Sequence, residues 1–263
     1  MTRLGGLELV RTVLDDCTWV GWDDPPRVVA EEGSTYAAEL AAARAQSGAD
    51  ESIVTGEGRI RGRRVAVVAG EFRFLAGSIG SVAAERIVTA FERARAEQLP
   101  LFAAPASGGT RMQEGTPAFV AMVKISAACA AFREAGLPYL VYLRHPTTGG
   151  VLASWASLGH VTVAEPGATI GFLGARVYEV LYGHPFPTGV QTARTSSSTG
   201  SSTQSFPQSP SPTWPTVPSP CCPGHARTCP TSPSCRRSHW RTCRRGSRSP
   251  ARAATTDPAC APC

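Results

Sequence analysis

The sequence predicts an α/β fold for residues 1–193 and a tail of another character for residues 194–263. Three observations predict this. Short apolar runs of strand length alternate with longer runs whose apolar residues recur at helical spacing. Glycine turns repeatedly stand between a strand and the helix that follows, as in sheets built from crossover units. The hydrophobic fraction, 42% of the chain, is enough to fill a core.

An opening helix is expected over residues 7–14. A second begins at Ser34, whose hydroxyl suits an N-cap, and runs to residue 46, with Gly48 to end it. Residues 53–60 and 64–74 read as strands joined by a hairpin turn at Arg61-Gly62. Ser81 is expected to cap a helix through residue 97, because Val82, Ala83, Ile87, Ala90, Phe91 and Ala94 fall on one face. A buried strand over 99–104 feeds the turn Ser107-Gly108-Gly109, and a helix over 116–135 follows, stopped by Gly136. The next strand, 139–143, feeds a second turn over 146–150 and a helix over 150–158. Short strands over 161–164 and 169–172 and a helix over 175–181 complete the folded part. No stretch approaches the roughly 20 apolar residues of a membrane helix, and the first residues lack the apolar segment of a secretory leader. A cytoplasmic protein without a membrane partner is the expectation.

The tail differs in kind. From Arg194 onward there is no Leu, Ile, Met, Tyr, Lys, Glu or Asn, and Phe206, Trp214, Val217 and Trp240 are the only sizeable hydrophobes. Nine Arg against the single acid Asp257 make it +8, so residues 1–193 carry −2 of the chain's +6. Seven of nine cysteines lie there as well. Such a composition cannot bury enough apolar surface to fold by itself. Three readings compete: a disordered Ser/Pro/Arg-rich extension, a disulfide-knit module, and an out-of-frame translation. Codon arithmetic favours the third. With one permitted choice of GC-rich codons, residues 194–208 read two bases out of register give DELVDRVVDAVVPP, alternating apolar and acidic residues like the helix and strand the body lacks at its end. A zinc site is disfavoured, because Cys221, Cys222, Cys229, Cys235 and Cys243 lack paired C-x-x-C spacing. Arg236-Arg237 and Arg244-Arg245 leave an RNA-binding arm as an electrostatic possibility.

Two glycine pairs carry the chemistry. Ser107-Gly108-Gly109-Thr110-Arg111 follows a buried strand, and without Cβ atoms its backbone can come close to a ligand. Two N–H groups converging there would stabilise a thioester enolate oxygen, at about 2.7 to 4 kcal/mol for each donor. Thr147-Thr148-Gly149-Gly150 repeats the arrangement at a helix start, where free N–H groups suit an enolate or a carboxylate. Taken alone, the first pair is better read as a plain tight turn and the second as a helix start packed closely on the sheet.

Taken in order, Gly77-Ser78-Ile79-Gly80-Ser81, SGGTRMQEG (107–115), HPTTGG (145–150), AEPGATIGF (164–172) and Gly174-Ala175-Arg176-Val177 resemble the carboxyltransferase β subunits of biotin-dependent acyl-CoA carboxylases. The resemblance covers residues 51–193, with a helical lead over 1–50 that has Cys17 alone and so no four-cysteine zinc ribbon. It implies a crotonase-like superhelix of ββα units, ending early and followed by the tail. It implies carboxyl transfer from carboxybiotin to acetyl-CoA, giving malonyl-CoA. Propionyl-CoA carboxylase, malonate decarboxylase and an inactive CoA-binding or subunit-binding remnant are the alternatives.

By match of motif, Gly108 and Gly109 would hold the enolate oxygen, and Gly149 and Gly150 would line the same pocket. The turn from Gly77 through Ser78 and Ile79 to Gly80, together with Ser107, Thr110, Arg111, Thr147, Thr148 and Phe172, would contact the acyl-CoA. Arg111 and Glu114 are expected to pair and brace their loop. Met112 and Phe172 are read as core or pocket wall, and His145 and His160 as strand-end residues with no acid–base role. The resemblance further implies biotin on a separate carrier protein, a biotin carboxylase, a carboxyltransferase α half as partner, and no metal in this chain.

Overall fold

The computed structural model describes residues 4–26, 30–187, 189–194 and 203–205. Helices α1 (Gly6–Val13) and α2 (Thr35–Ser47) flank a short strand β1 (Val20–Gly21). The hairpin β2 (Ile53–Ile60) and β3 (Arg63–Gly70) follows, then α3 (Ser81–Ala96), β4 (Leu101–Ala104) and α4 (Thr116–Glu134). Beyond these come β5 (Tyr139–Leu143), β6 (Thr147–Thr148), a π-helical turn (Leu152–Ala156), β7 (Val161–Ala164), β8 (Ile170–Gly171), α5 (Ala175–Tyr182) and β9 (Thr203–Ser205).

Seven strands form one sheet in the order β1-β2-β3-β4-β5-β7-β9. The first three are antiparallel and the rest parallel. A second, minor layer pairs β6 with β8 and continues through the bridges Ser107↔Thr147 and Ile79↔Thr110. Each repeat thus runs from a main strand to a short strand in the second layer and on to a helix, which is the expected ββα unit.

Alternation along β3 explains the two sides of the sheet. Ala66 and Val68 face a large core with Ile87 and Phe91 of α3 and Ile125, Cys129 and Phe132 of α4. Val65, Val67 and Ala69 face Val10 and Leu14 at α1. Phe91, Phe132 and Tyr139 meet edge to face at 5.2 to 6.2 Å between centroids, knitting α3, α4 and β5. α4 is the one described helix long and apolar enough by length and composition to cross a membrane, yet Ala118, Ala121, Met122, Ile125, Cys129 and Phe132 pack into the core.

The hairpin turn has Arg61 and Gly62 both at positive φ (51° and 77°), and Asp15 accepts both of their N–H groups, at 3.0 and 2.7 Å. Ser34 caps α2, accepting from Ala37 N–H at 3.1 Å, and Gly48 closes that helix in the left-handed region.

Four expectations need correction. β3 ends at Gly70, not at residue 74, because the chain turns there: Phe74 N–H donates to Glu71 O at 3.2 Å and Gly77 N–H to Phe74 O at 2.8 Å. Ser81 is the first residue of α3 and not its cap. Gly80 takes the cap position, and the Glu114 carboxylate accepts both Ser81 N–H (2.6 Å) and Ser81 Oγ–H (2.5 Å). The turn after β5 contains a strand pair at Thr147-Thr148, and the helix beyond it widens into a π turn. The sheet also continues past residue 193, since Thr203–Ser205 pairs in parallel with β7. The readings of the tail's cysteines and of its arginine pairs fall outside the described residues.

Candidate active site

The site lies beyond the carboxyl ends of the parallel strands β4 and β5, where α/β sheets characteristically bind ligands. β4 leads to Ser107, and β5 leads to Thr147. Ser107 N–H donates to Pro146 O at 2.7 Å and Thr148 N–H to Ser107 O at 3.0 Å, so the two exits run side by side. The glycine turns therefore meet backbone to backbone. A Cβ on Gly149 would lie 3.5 Å from Gly109 Cα and 3.8 Å from Gly108 O. Gly109 sits at φ +117° and Gly149 at +64°, conformations that L side chains rarely adopt. Both glycines are required by conformation, and their closeness keeps the space between the turns free of side chains.

The N–H donors are not arranged as the sequence suggests. Gly108 N–H donates to Ala76 O of the neighbouring loop at 2.9 Å and Gly109 N–H to Ser107 Oγ at 3.0 Å, so the donors of this pair are both committed. Gly149 N–H likewise goes to Gly171 O at 3.0 Å. The donors at the meeting point belong to the helix start: its first i→i−4 bond is Ala153 N–H to Gly149 O at 3.3 Å, which leaves Gly150, Val151 and Leu152 N–H without an intrahelical acceptor. Thr110 stands opposite, its Oγ1 3.3 Å from the place a Cβ on Gly150 would occupy.

Several expected contact residues prove to be scaffold. Thr147 and Thr148 are buried, with the single Thr147 hydroxyl hydrogen shared between Arg144 O (2.8 Å) and Pro105 O (3.1 Å). Ser107 is buried with its hydroxyl committed to Gly109 N–H. Ile79 is fully buried and bridges to Thr110, while Ser78 O accepts from Ser52 Oγ and from Arg111. Arg111 is 1% exposed, so its guanidinium is a brace and not a surface ligand.

The brace has more members than the expected pair. Arg111 Nη2 pairs with Glu51 Oε1 and donates to Ser78 O at 2.8 Å, while Nη1 reaches Glu51 Oε2 at 3.0 Å, Tyr36 OH at 3.3 Å and Glu114 Oε1 at 3.4 Å. Tyr36 OH donates to Glu114 at 2.6 Å. Burial, aided by that carboxylate, pushes the Tyr36 hydroxyl up to about 12. Burial alone would raise Glu114, but the hydrogen bonds from Ser81 and Tyr36 outweigh it and hold the carboxyl below its usual value. Glu51 and Tyr36 have no local signal in the sequence, since they stand 60 and 75 residues from Arg111.

Met112 and Phe172 are not core: they are 82% and 69% exposed. Phe172 O still lies 4.0 Å from the Cβ position of Gly149, so this residue rims the glycine turns. His145 and His160 each accept a backbone N–H from another strand or loop. His145 Nδ1 accepts from Thr169 N–H at 2.9 Å and His160 Nδ1 from Tyr139 N–H at 3.1 Å. Among the described residues no group of three His, Cys, Asp or Glu side chains is placed to hold a metal ion.

A mixed sheet of ββα repeats with two facing glycine turns and free donors at a helix start defines an α/β protein with a backbone-lined site. Comparison narrows this: the carboxyl transferase domain family matches residues 27–197, and the chain belongs to that family. It is 68% identical over 193 residues to the probable biotin-dependent acyl-coenzyme A carboxylase beta3 subunit of Mycobacterium tuberculosis, a match covering 73% of this chain and 39% of that one. It is 47% identical over 162 residues to the acetyl-coenzyme A carboxylase carboxyl transferase subunit beta of Rhizobium meliloti, covering 62% and 53%. The chain thus spans about two-fifths of the length of the mycobacterial relatives it matches. In fold it is similar to transcarboxylase 12S (TM-score 0.63, 21% identity, 74% of this chain and 36% of that one). It is also similar to a chain of the Pseudomonas malonate decarboxylase hetero-dimer (TM-score 0.59, 20% identity, 78% and 80%).

Proposed function

We propose that this chain is the acyl-CoA-binding β part of a biotin-dependent acyl-CoA carboxylase and that it promotes carboxyl transfer to the α-carbon of acetyl-CoA, giving malonyl-CoA. The observation that carries this is the meeting of the two glycine turns beside the donors of Gly150, Val151 and Leu152. Removing the α-proton of a thioester places negative charge on its oxygen. Fixed N–H donors stabilise that charge without reorganising. Thr110 Oγ1, beside Gly150, would orient the thioester, and the turns would keep side chains away from the reacting atoms. Gly108 and Gly109 line this space by shape, with their own donors committed to Ala76 O and Ser107 Oγ.

The two turns touch backbone to backbone, so the ureido ring of carboxybiotin would approach over their bare outer edge, bordered by Thr148–Gly150. Carboxybiotin, brought by a separate carrier, supplies the CO2 and the base that takes the α-proton. What this chain contributes is binding, orientation and stabilisation of oxygen charge.

The partner expected is a carboxyltransferase α half, together with the carrier and a biotin carboxylase. Phe119, Val120 and Val123 on the outward face of α4, Val180, Leu181 and Tyr182 on α5, and the rim residues Met112 and Phe172 are all exposed. Apolar surface of this kind marks an interaction face.

The test is reconstitution of the chain with the carrier, biotin carboxylase and partner half from the same source, followed by transfer of labelled bicarbonate into acetyl-, propionyl- and longer acyl-CoA. Labelled malonyl-CoA is the expected product. Preference for propionyl-CoA would reassign the substrate, and bicarbonate-independent loss of CO2 from a malonyl thioester would point to a decarboxylase. CoA binding without any transfer would leave a binding remnant.

A further inference from the structure

We propose that Glu51 is a positioning residue for this site, acting through Arg111; the proposal rests on the functional reading above. Glu51 is buried just ahead of β2, far in sequence from either glycine turn. Its carboxylate takes both terminal nitrogens of Arg111, and its Oε1 also accepts Ser52 N–H at 2.6 Å. Arg111 so held grips the loop over 75–80 twice, its Nη2 donating to Ser78 O (2.8 Å) and its backbone N–H to Ile79 O (2.9 Å).

That loop in turn sets the first glycine turn. Ile79 N–H donates to Gly109 O at 2.9 Å, and Ala76 O accepts Gly108 N–H at 2.9 Å. The loop is also strained: Leu75 and Ala76 sit at φ 44° and 55°, and neither is glycine. Non-glycine residues persist in this region only where their surroundings over-determine them. The chain of contacts from Glu51 through Arg111, Ser78 and Ala76 to Gly108 supplies that constraint. Glu51 touches no substrate; it fixes where the Gly108-Gly109 turn stands relative to Gly149 and Gly150.

The experiment compares Glu51→Gln, Glu51→Asp and the double variant Glu51→Leu with Arg111→Met in the reconstituted complex. Thermal melting, kcat, KM for acyl-CoA and amide hydrogen exchange over residues 107–111 are measured for each. Misplacing a reacting group lowers turnover more than binding. The expected result for Glu51→Gln is a kcat loss of about 10- to 100-fold with KM within about threefold of the parent, and faster exchange over 107–111. Glu51→Asp, which keeps the charge one methylene short, should recover part of the loss.

The double variant separates positioning from stability, because replacing a buried ion pair by apolar groups of similar volume often restores folding. Native melting with kcat still low supports the proposal. Parental kcat in the double variant, or in both single variants that melt like the parent, overturns it. Should the double variant not fold, Glu51→Asp decides: a kcat loss at unchanged KM supports positioning, and parental kcat overturns it. If the parent complex transfers no carboxyl group, the functional reading fails, while unchanged exchange over 107–111 in Glu51→Gln sinks the positioning claim by itself.

Discussion

At the scale of single residues, the donor count distinguishes what is reactive from what is scaffold. Gly108 and Gly109 look like an oxyanion pair in sequence, yet Ala76 O and Ser107 Oγ take their N–H groups. Gly150 is different, because it opens a helix. Gly150→Pro removes one N–H at a first helical position, where proline is well tolerated. Gly150→Ala adds a Cβ near Thr110 Oγ1 and Met122 but keeps the donor. Turnover of the proline variant is expected about 10²- to 10³-fold below that of the alanine variant, as for loss of one oxyanion donor. Steady-state assays of the two side by side check this; equal rates would remove Gly150 from the mechanism. Glu114 supports a second prediction. Its carboxyl is held below the ordinary 4.5 in the folded chain, so its contribution to stability is full above 4.5 and fades as the pH falls through the lowered value. Glu114→Gln should cost about 2 kcal/mol near pH 7 and flatten the acid limb of the stability curve. Denaturant titrations between pH 3 and 7 would show it.

At the scale of elements, periodicity carries most of the fold. The strand expected over 139–143 spans Tyr139–Leu143, and α2 begins and ends where Ser34 and Gly48 direct. These features are legible because caps and alternation are local. The reading fails where a distant group decides. Glu114 supplies the cap that Ser81 appears to offer, and Gly171 O takes Gly149 N–H from another strand. The candidate site divides along the same line: its glycine turns are visible in the sequence, but Glu51 and Tyr36 become neighbours of Arg111 only through topology. α4 shows a related limit, being apolar on nearly all sides while only one side is covered. A helix apolar all round is normally buried. The outward side is therefore the expected docking face, and Val123→Asp should abolish co-purification with the partner half while leaving the chain's own melting temperature unchanged. Retained assembly, read by gel filtration of the mixture, would free this face of that role.

At the scale of the whole chain, the body and the tail obey different rules. Residues 1–193 carry −2 and contain every Leu, Ile, Met and Tyr; residues 194–263 carry +8 and contain none of them. The family match ends at residue 197, close to this change. Yet the sheet takes one more strand, Thr203–Ser205, in parallel with β7. Backbone pairing there demands a strand but not these particular side chains, and a strand beside β7 in a parallel sheet is ordinarily rich in apolar residues. The two-base shift that turns residues 194–208 into DELVDRVVDAVVPP offers such residues in that place. The expected outcome of reading the DNA across codons 185–215 is an open frame that continues the apolar alternation of the body. A chain expressed in that frame should then assemble with its partner half more tightly and turn over faster than the chain with the arginine-rich tail. If no such frame exists, the tail is encoded as it stands, and its nine arginines become the feature to test. RNA binding that weakens steeply with salt, and that disappears on deleting residues 194–263, would then make it an electrostatic arm.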